Sequence, residues 1–132
     1  MIACVETRRP RLRIAIAALF LAPALGGCIH AAPRFALPQR FTALGTEPFW
    51  AAKVDGGRLI YSTPLDHAGR AISITRHAAA RVATVEGVLD GRLLRLRIRA
   101  GPCSDGMSDV VYPFAVERTV GDDVQHGCAR GE

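Results

Sequence analysis

The chain has 132 residues, of which 49% are hydrophobic, and it carries 17 Lys and Arg against 12 Asp and Glu. This length suffices for one small domain. The net charge of +5 indicates nucleic-acid binding only if the basic side chains belong to that domain, and four arginines and one glutamate lie within the first 27 residues. Without that segment 13 basic and 11 acidic side chains remain, a net charge of +2, so the composition does not favour a nucleic-acid partner.

Residues 1–27 are predicted to be a cleaved signal peptide. Four arginines precede an apolar run over residues 14–25, which is the secretory pattern. The run is shorter than the roughly 20 apolar residues of a membrane-spanning helix, and Pro23 interrupts it. The following "LGGC", Leu25 to Cys28, resembles the lipobox of bacterial lipoproteins, which implies cleavage before Cys28 and acylation of its thiol. The alternatives are an ordinary signal peptide with an incidental cysteine and a transmembrane anchor.

A lipid on Cys28 predicts a membrane-tethered protein. Several acyl chains on one cysteine anchor a protein stably, whereas a single chain binds only marginally. Ile29 follows the cysteine, and by the same resemblance the absence of Asp there implies the periplasmic face of the outer membrane rather than the inner membrane. Residues 28–40 are rich in Ala and Pro and are predicted to be a tether to a domain formed by residues 41–132.

Residues 41–132 are predicted to form a single all-β domain. Seven segments with period-2 patterns alternate with turn signals such as Asp55-Gly56 and Asp90-Gly91. The segments are FWAAKV, RLIYST, RAISITRH, ARVATVEGVLD, RLLRLRIRA, VVYPFAVERTV and VQHGCAR. No sustained helical period with caps follows Cys28. Strands at this spacing favour a small antiparallel meander that forms a closed or partly open barrel, because closure removes exposed edges; a β-sandwich is the alternative.

The segment RLLRLRIRA gives the clearest assignment of inward and outward faces, and RAISITRH adds to it. The predicted inward residues are Ile72, Ile74, Leu94, Leu96 and Ile98, and the predicted exposed residues are Arg95, Arg97 and Arg99. A solvated face explains this arginine ladder, since every second residue of a half-buried strand is polar; binding to anionic lipid headgroups is the alternative. Pro113 within a strand pattern predicts an edge position or a bulge.

Two cysteines remain for the mature domain once Cys4 is removed with the signal peptide and Cys28 is acylated. In a secreted protein, Cys103 and Cys128 are predicted to form a disulfide. It closes a loop of about 26 residues, which corresponds to about 3.5 kcal/mol in the chain-entropy model. Two buried, unreactive thiols are the alternative, and no CxxC motif supports a redox role.

Three motifs, GTEPFW, GPCSDGMSD and the terminal GCAR, resemble those of an uncharacterised family of small bacterial lipoproteins and predicted membrane proteins. The resemblance covers nearly all of the mature chain and implies an envelope lipoprotein, without implying a reaction. Val110 stands where this family pattern has a basic residue after the second aspartate of the loop. A role for a positive charge at that position is therefore not expected here.

Two residues of the GTEPFW motif are candidates for a role beyond packing. Trp50, the only tryptophan, is predicted to plug one end of the barrel, with stacking against a ligand as the alternative. Glu47, if buried, requires an arginine or several N–H donors. An ion pair with an arginine is therefore the prediction for Glu47, and a general acid is the alternative.

The loop of residues 101–109 is predicted to be a turn stabilised by its own aspartates and serines. A recognition loop is a second interpretation. A third is a Ca²⁺ site formed by Ser104, Asp105, Ser108 and Asp109, although the spacing differs from that of an EF-hand and two carboxylates are few.

The function predicted from the sequence is that of a non-enzymatic binding or structural module of the cell envelope. His30, His67, His77 and His126 are scattered singly, so no catalytic, metal or cofactor residues are assigned. The possible recognition residues are Glu47, Trp50, Ser104, Asp105, Ser108 and Asp109. The expected partners are the membrane, through the lipid, and a periplasmic protein or glycan, by fold-level analogy with β-barrel lipoproteins that inhibit lysozymes. An envelope hydrolase acting on peptidoglycan or lipid and a structural spacer are the alternatives.

Overall fold

The computed structural model describes residues 35–132, which form a closed barrel of antiparallel strands. The strands are β1 (Arg40–Thr46), β2 (Phe49–Asp55), β3 (Arg58–Thr63), β4 (Asp66–Ala78), β5 (Val82–Leu89), β6 (Arg92–Ser104), β7 (Val111–Val120) and β8 (Asp123–Gly131). Each strand pairs with the next, and β8 pairs with β1. The predicted signal peptide and the lipid site at Cys28 lie outside the described residues. Within residues 35–132, no helix has the length and apolarity needed to cross a membrane.

The all-β prediction is confirmed, and the sheet closes into a barrel rather than splitting into a sandwich. The predicted segments correspond to β2 through β8, whereas β1 was not predicted as a strand. Its inward positions include Ala43 and Gly45, and the apolar Leu44 lies between them. Small inward residues with a large apolar residue facing outward weaken the period-2 signal.

The barrel core forms from alternate residues of each strand, because successive side chains of a strand point to opposite faces. Leu94, Leu96 and Ile98 are fully buried, as predicted. Ile72 and Ile74 are partly buried and pack against the core. The inward positions therefore follow the pattern that the sequence predicts.

The arginine ladder of β6 lies on the outer face of the barrel. Arg95 forms an ion pair with Glu86 of β5 (Nε–Oε1, 2.5 Å), and Arg97 forms one with Glu117 of β7 (Nη1–Oε1, 3.3 Å). Arg99 is exposed and forms no ion pair with a described residue. Half-exposed pairs of this kind contribute at most about 1 kcal/mol each. The ladder is thus a solvated face in which only Arg99 keeps an uncompensated charge.

The barrel has two ends that differ in structure. The end at which the described chain starts, called the near end, carries the β2–β3 turn at residues 56–57 and the β4–β5 turn at residues 79–81. The opposite end, called the far end, carries the turns at residues 47–48, 64–65, 90–91 and 121–122.

Residues 35–39, the last part of the predicted tether, lie against the near end. The Phe35 N–H donates to the Ala79 carbonyl (3.3 Å), and the Phe35 ring meets the Phe114 ring edge-on with centroids 5.7 Å apart. The Arg76 guanidinium donates to the carbonyls of Pro38 (2.6 Å) and Gln39 (2.9 Å). Burial lowers the pKa of Arg76. This segment covers the near end and fixes the point at which the chain enters the barrel.

Candidate functional site

The β6–β7 hairpin bends away from the barrel at its tip, residues 101–112. The register of β6 and β7 shifts between Ala100 and Cys103, opposite Pro113, and the pairing of β7 with β8 begins only at Phe114. Both predicted possibilities apply to Pro113: it lies opposite a bulge in β6, and it has no partner in β8. Because proline donates no hydrogen bond to the ladder, the hairpin bends at this point.

A disulfide fastens the tip to the outer face of the barrel wall. Cys103 and Cys128 are bonded, with Cα atoms 5.6 Å apart. Ala129 belongs to the core, so the neighbouring Cys128 points outward, yet it is only 1% exposed. The Thr46 hydroxyl of β1 donates to the Asp105 carbonyl (3.2 Å). The tip therefore crosses β8 and reaches β1 on the outside of the barrel.

Asp105 organises the conformation of the tip. Its carboxylate accepts hydrogen bonds from the N–H groups of Met107 (3.0 Å) and Ser108 (2.9 Å), from the Ser108 hydroxyl and from the Tyr112 hydroxyl (3.2 Å). The Met107 N–H, followed by the Ser108 groups, holds the pKa of Asp105 below its ordinary value. The Ser104 hydroxyl accepts from the Gly106 N–H (3.2 Å). These bonds are those of a turn capped by its own side chains.

The remaining candidate ligand of the loop, Asp109, is exposed to solvent. Within residues 35–132, no three His, Cys, Asp or Glu side chains come close enough to hold a metal ion together. The Asp105 carboxylate instead satisfies its own loop.

A groove lies between the tip and the outer wall of β1, β2 and β3. Its volume is about 470 Å³. The groove has an apolar and a polar lining. The apolar lining includes Leu44, Phe49, Trp50, Ala51, Pro64, Met107 and Tyr112, and the polar lining includes Ser62, Thr63, His67 and Asp105. Phe49 is 54% exposed and Met107 is 66% exposed. The groove is thus open, and large apolar side chains stand on both of its sides.

Trp50 plugs the far end of the barrel from inside, as predicted. It is 4% exposed and stacks on Tyr61, with ring centroids 6.4 Å apart and planes inclined by 15°. A Cβ atom at Gly45 would lie 2.0 Å from the indole Nε1, and one at Gly127 would lie 2.1 Å from the Leu44 carbonyl oxygen. Only glycine at these two positions lets β1 and β8 approach the indole so closely.

Arg118 is a buried component of the same plug that was not predicted from the sequence. It is 3% exposed, its Nη1 donates to the Tyr61 hydroxyl (3.1 Å), and its Nη2 forms an ion pair with Asp123. The guanidinium carbon lies 5.7 Å from the centre of the Trp50 ring, a cation–π distance. Burial raises the pKa of Tyr61, and Arg118 opposes that shift. One indication was available in the sequence. Arg118 lies two residues from both Val116 and Val120, so the alternation of the strand places all three on the inward face.

The prediction of an ion pair for Glu47 is wrong. Glu47 is exposed in the turn between β1 and β2, where a cis peptide bond joins it to Pro48, and it forms no ion pair with any residue in the 35–132 range. The turn projects from the far end, so the carboxylate remains in water while the nearby Trp50 is buried.

Neither Ser104 nor Ser108 is hydrogen-bonded to a histidine within the described part of the chain; the Ser108 hydroxyl donates to Asp105 instead. His30 lies outside that part. His67 lines the groove, whereas His77 is exposed near the end of β4, on the near-end side. His126 lies beside the disulfide with Ser104 and Asp105 around a smaller cavity of about 150 Å³.

Comparisons of the chain with protein-family models, curated proteins and solved structures find no match. The resemblance of the three motifs to a lipoprotein family therefore stays a prediction. The motifs nevertheless meet in space. Thr46 of GTEPFW bonds to Asp105 of GPCSDGMSD, and Cys103 of that second motif is bonded to Cys128 of GCAR. Residues of the first two motifs line the groove, and the third motif fastens the tip through Cys128.

Proposed function

We propose that this protein is a lipoprotein of the cell envelope, anchored through Cys28 at the periplasmic face of the outer membrane, whose barrel binds a partner protein in the groove. The observation that carries the proposal is the open groove itself, bordered by the exposed Phe49 and Met107. Exposed apolar side chains around a concave site are characteristic of binding surfaces.

The construction of the tip supports a binding role. The Cys103–Cys128 bond fixes its base, and the hydrogen bonds to Asp105 fix its turn. A wall that is ordered before binding loses little conformational entropy when a partner arrives. The predominantly apolar lining favours an apolar protein side chain over a glycan as the group that enters the groove.

The position of Asp105 supports binding over hydrolysis. A general base needs free oxygen lone pairs directed at a substrate proton. The Asp105 oxygens accept hydrogen bonds from Met107, Ser108 and Tyr112 within the tip. This carboxylate therefore stabilises the loop and is not free to act on a substrate in the groove.

Photo-crosslinking tests the proposal. A photoreactive phenylalanine analogue replaces Met107 on the tip and, as a matched control, Val88 on β5, which is 60% exposed and distant from the groove in the strand order. We expect one discrete protein adduct from position 107 in intact envelopes and none from position 88. Met107→Asp should prevent capture by an analogue placed at Phe49, because it introduces a charge into the apolar groove.

Equal adduct patterns at positions 107 and 88 would refute the groove as the binding site. An adduct that contains only glycan would replace the protein partner by a polysaccharide. Turnover of an ester or glycan reporter by the mature protein, lost in Asp105→Asn, would favour an envelope hydrolase.

The lipid anchor has its own test. The intact mass of the mature protein should correspond to a chain that begins at Cys28 and carries a diacylglycerol adduct. A mature chain that begins elsewhere, or a Cys28→Ser protein that still sediments with membranes, would contradict the anchor without bearing on the groove.

A further inference from the structure

The near end of the barrel carries arginines whose charge is not compensated. Arg58 begins β3 beside the β2–β3 turn, Arg81 lies in the β4–β5 turn, and Arg99 pairs in register with Val82, the residue after Arg81. All three arginines are exposed, and none forms an ion pair with another residue that the structure describes. The fold thus brings together charges that are far apart in the sequence.

Of the near-end acidic side chains Asp55 and Glu132, only Asp55 forms an ion pair within residues 35–132. Asp55 forms an ion pair with Arg40 (3.2 Å), and the Glu132 carboxylate accepts a hydrogen bond from the Thr42 hydroxyl (2.6 Å). The turns of the far end instead carry Glu47 and Asp122, together with Asp90, which forms an ion pair with Arg70 (2.9 Å). The barrel is therefore electrically polarised, with its positive charge at the end where the chain enters.

The length of the tether limits how far the near end can be from a membrane. Phe35 contacts the near end at Ala79. Cys28 precedes Phe35 by seven residues, and an extended chain spans at most about 3.5 Å per residue, so the two are separated by no more than about 25 Å. If Cys28 carries the lipid, as the proposed function requires, the near end is the end held close to the bilayer.

We propose that the near end docks on anionic phospholipid headgroups through Arg58, Arg81 and Arg99, which turns the far end and the groove away from the membrane. Each arginine close to an anionic membrane surface raises the affinity of a protein for that surface by about fivefold. The attraction decays over a Debye length of about 10 Å at 0.1 M salt, so it acts only on a domain held near the surface. The lipid anchor supplies that proximity, and the arginines supply the orientation.

The experiment uses the mature lipidated protein in nanodiscs, either of phosphatidylcholine alone or with added phosphatidylglycerol, and a paramagnetic label on the headgroups. We expect the backbone amide signals of Arg58, Arg81 and Arg99 to weaken several-fold more in the anionic discs, and raised salt to reverse the effect. Reversal of charge at two positions, Arg81→Glu with Arg99→Glu, should abolish the difference between discs. The matched control is Arg92→Glu, an exposed arginine of the far end, which should leave the difference unchanged.

Equal weakening in neutral and anionic discs, or weakening centred on the far-end turns, would overturn the proposal. If the double variant fails to fold, the salt titration of the unaltered protein still tests whether lipid charge causes the weakening. A failed lipid anchor would show itself separately, because the protein would not enter the discs and its mass would lack the diacylglycerol. An anchored protein whose near-end signals do not respond to lipid charge would refute the docking alone.

Discussion

The two ends of the barrel are closed by different means. At the near end, residues 35–39 lie across the opening, held by Arg76 and by the contact of Phe35 with Phe114. At the far end, Trp50 and Arg118 close the barrel with side chains of the strands themselves. The near-end cover is therefore an added segment, whereas the far-end plug is part of the core.

The difference in closure matches a difference in what each end offers to its surroundings. The near end presents arginines and the attachment of the tether. The groove lies towards the far end of β1 and β2, where Thr46, Phe49 and the largely buried Trp50 line it. The near end, covered by a chain segment, is the end at which the protein is held. The far end, closed by a packed plug next to the groove, is the end proposed to bind.

Loss of the far-end plug should have the largest effect on stability. We expect Trp50→Ala to lower the free energy of unfolding by about 3–5 kcal/mol, because it removes a buried aromatic side chain and leaves a cavity. The control is Phe49→Ala, its exposed neighbour, which should change stability by no more than about 0.5 kcal/mol. Urea unfolding of both variants measures the difference, and a similar loss from each would show that the far end is not a core plug.

Removal of the disulfide should have the next largest effect. We expect the double variant Cys103→Ser with Cys128→Ser to lose about 3.5 kcal/mol of stability, since the unfolded chain is no longer constrained. The tip should also become accessible to proteases at residues 101–112, while the barrel strands stay protected. A variant as stable as the unaltered protein, with an equally resistant tip, would mean that the bond does not fasten the tip.

Removal of the near-end cover should lower the free energy of unfolding by less than removal of the plug. Phe35 is partly buried and packs against the core from outside it. We therefore expect Phe35→Ala to cost about 1–2 kcal/mol, well below a fully buried aromatic residue. A loss equal to that of Trp50→Ala in the same urea titration would erase the distinction between the two ends.

The smallest effect should be local and dependent on pH. The pKa of Asp105 is lowered from 3.8 in the folded protein, so its contribution to tip stability is fully present above pH 3.8 and is lost as the pH falls through the lowered pKa. Amide chemical shifts of Met107 and Ser108 should move together over that acidic range. This titration should be absent in Asp105→Asn. A transition that persists in the variant would belong to another titrating group.

Much of the fold was predictable because most strands carry a clear alternation. RLLRLRIRA predicts the burial of Leu94, Leu96 and Ile98, and the turns at Asp55-Gly56 and Asp90-Gly91 separate strands as expected. β1 was missed because its small inward residues do not contrast with its outward ones. The cysteine pairing followed from elimination, and the structure contains that bond.

The site was less predictable because it depends on contacts between distant strands. The sequence drew attention to Trp50 and Asp105, yet the groove exists only because the tip bends at Pro113 and crosses the wall. Arg118 was not identified, since charged residues rarely occupy inward positions without a partner, and its partner Asp123 follows a turn. The ion pair predicted for Glu47 depended on its burial, and the turn leaves this carboxylate exposed.

The tip and the wall are proposed to form one binding site, and photo-crosslinking from both sides of the groove is the sharpest test of that proposal. A photoreactive analogue is placed at Phe49, on the wall, and separately at Met107, on the tip, because the two side chains line the groove from opposite sides. We expect both positions to capture the same protein from intact envelopes. Both adducts should disappear in the double variant Cys103→Ser with Cys128→Ser. Capture of different species at the two positions, or capture that survives the loss of the disulfide, would contradict a single site.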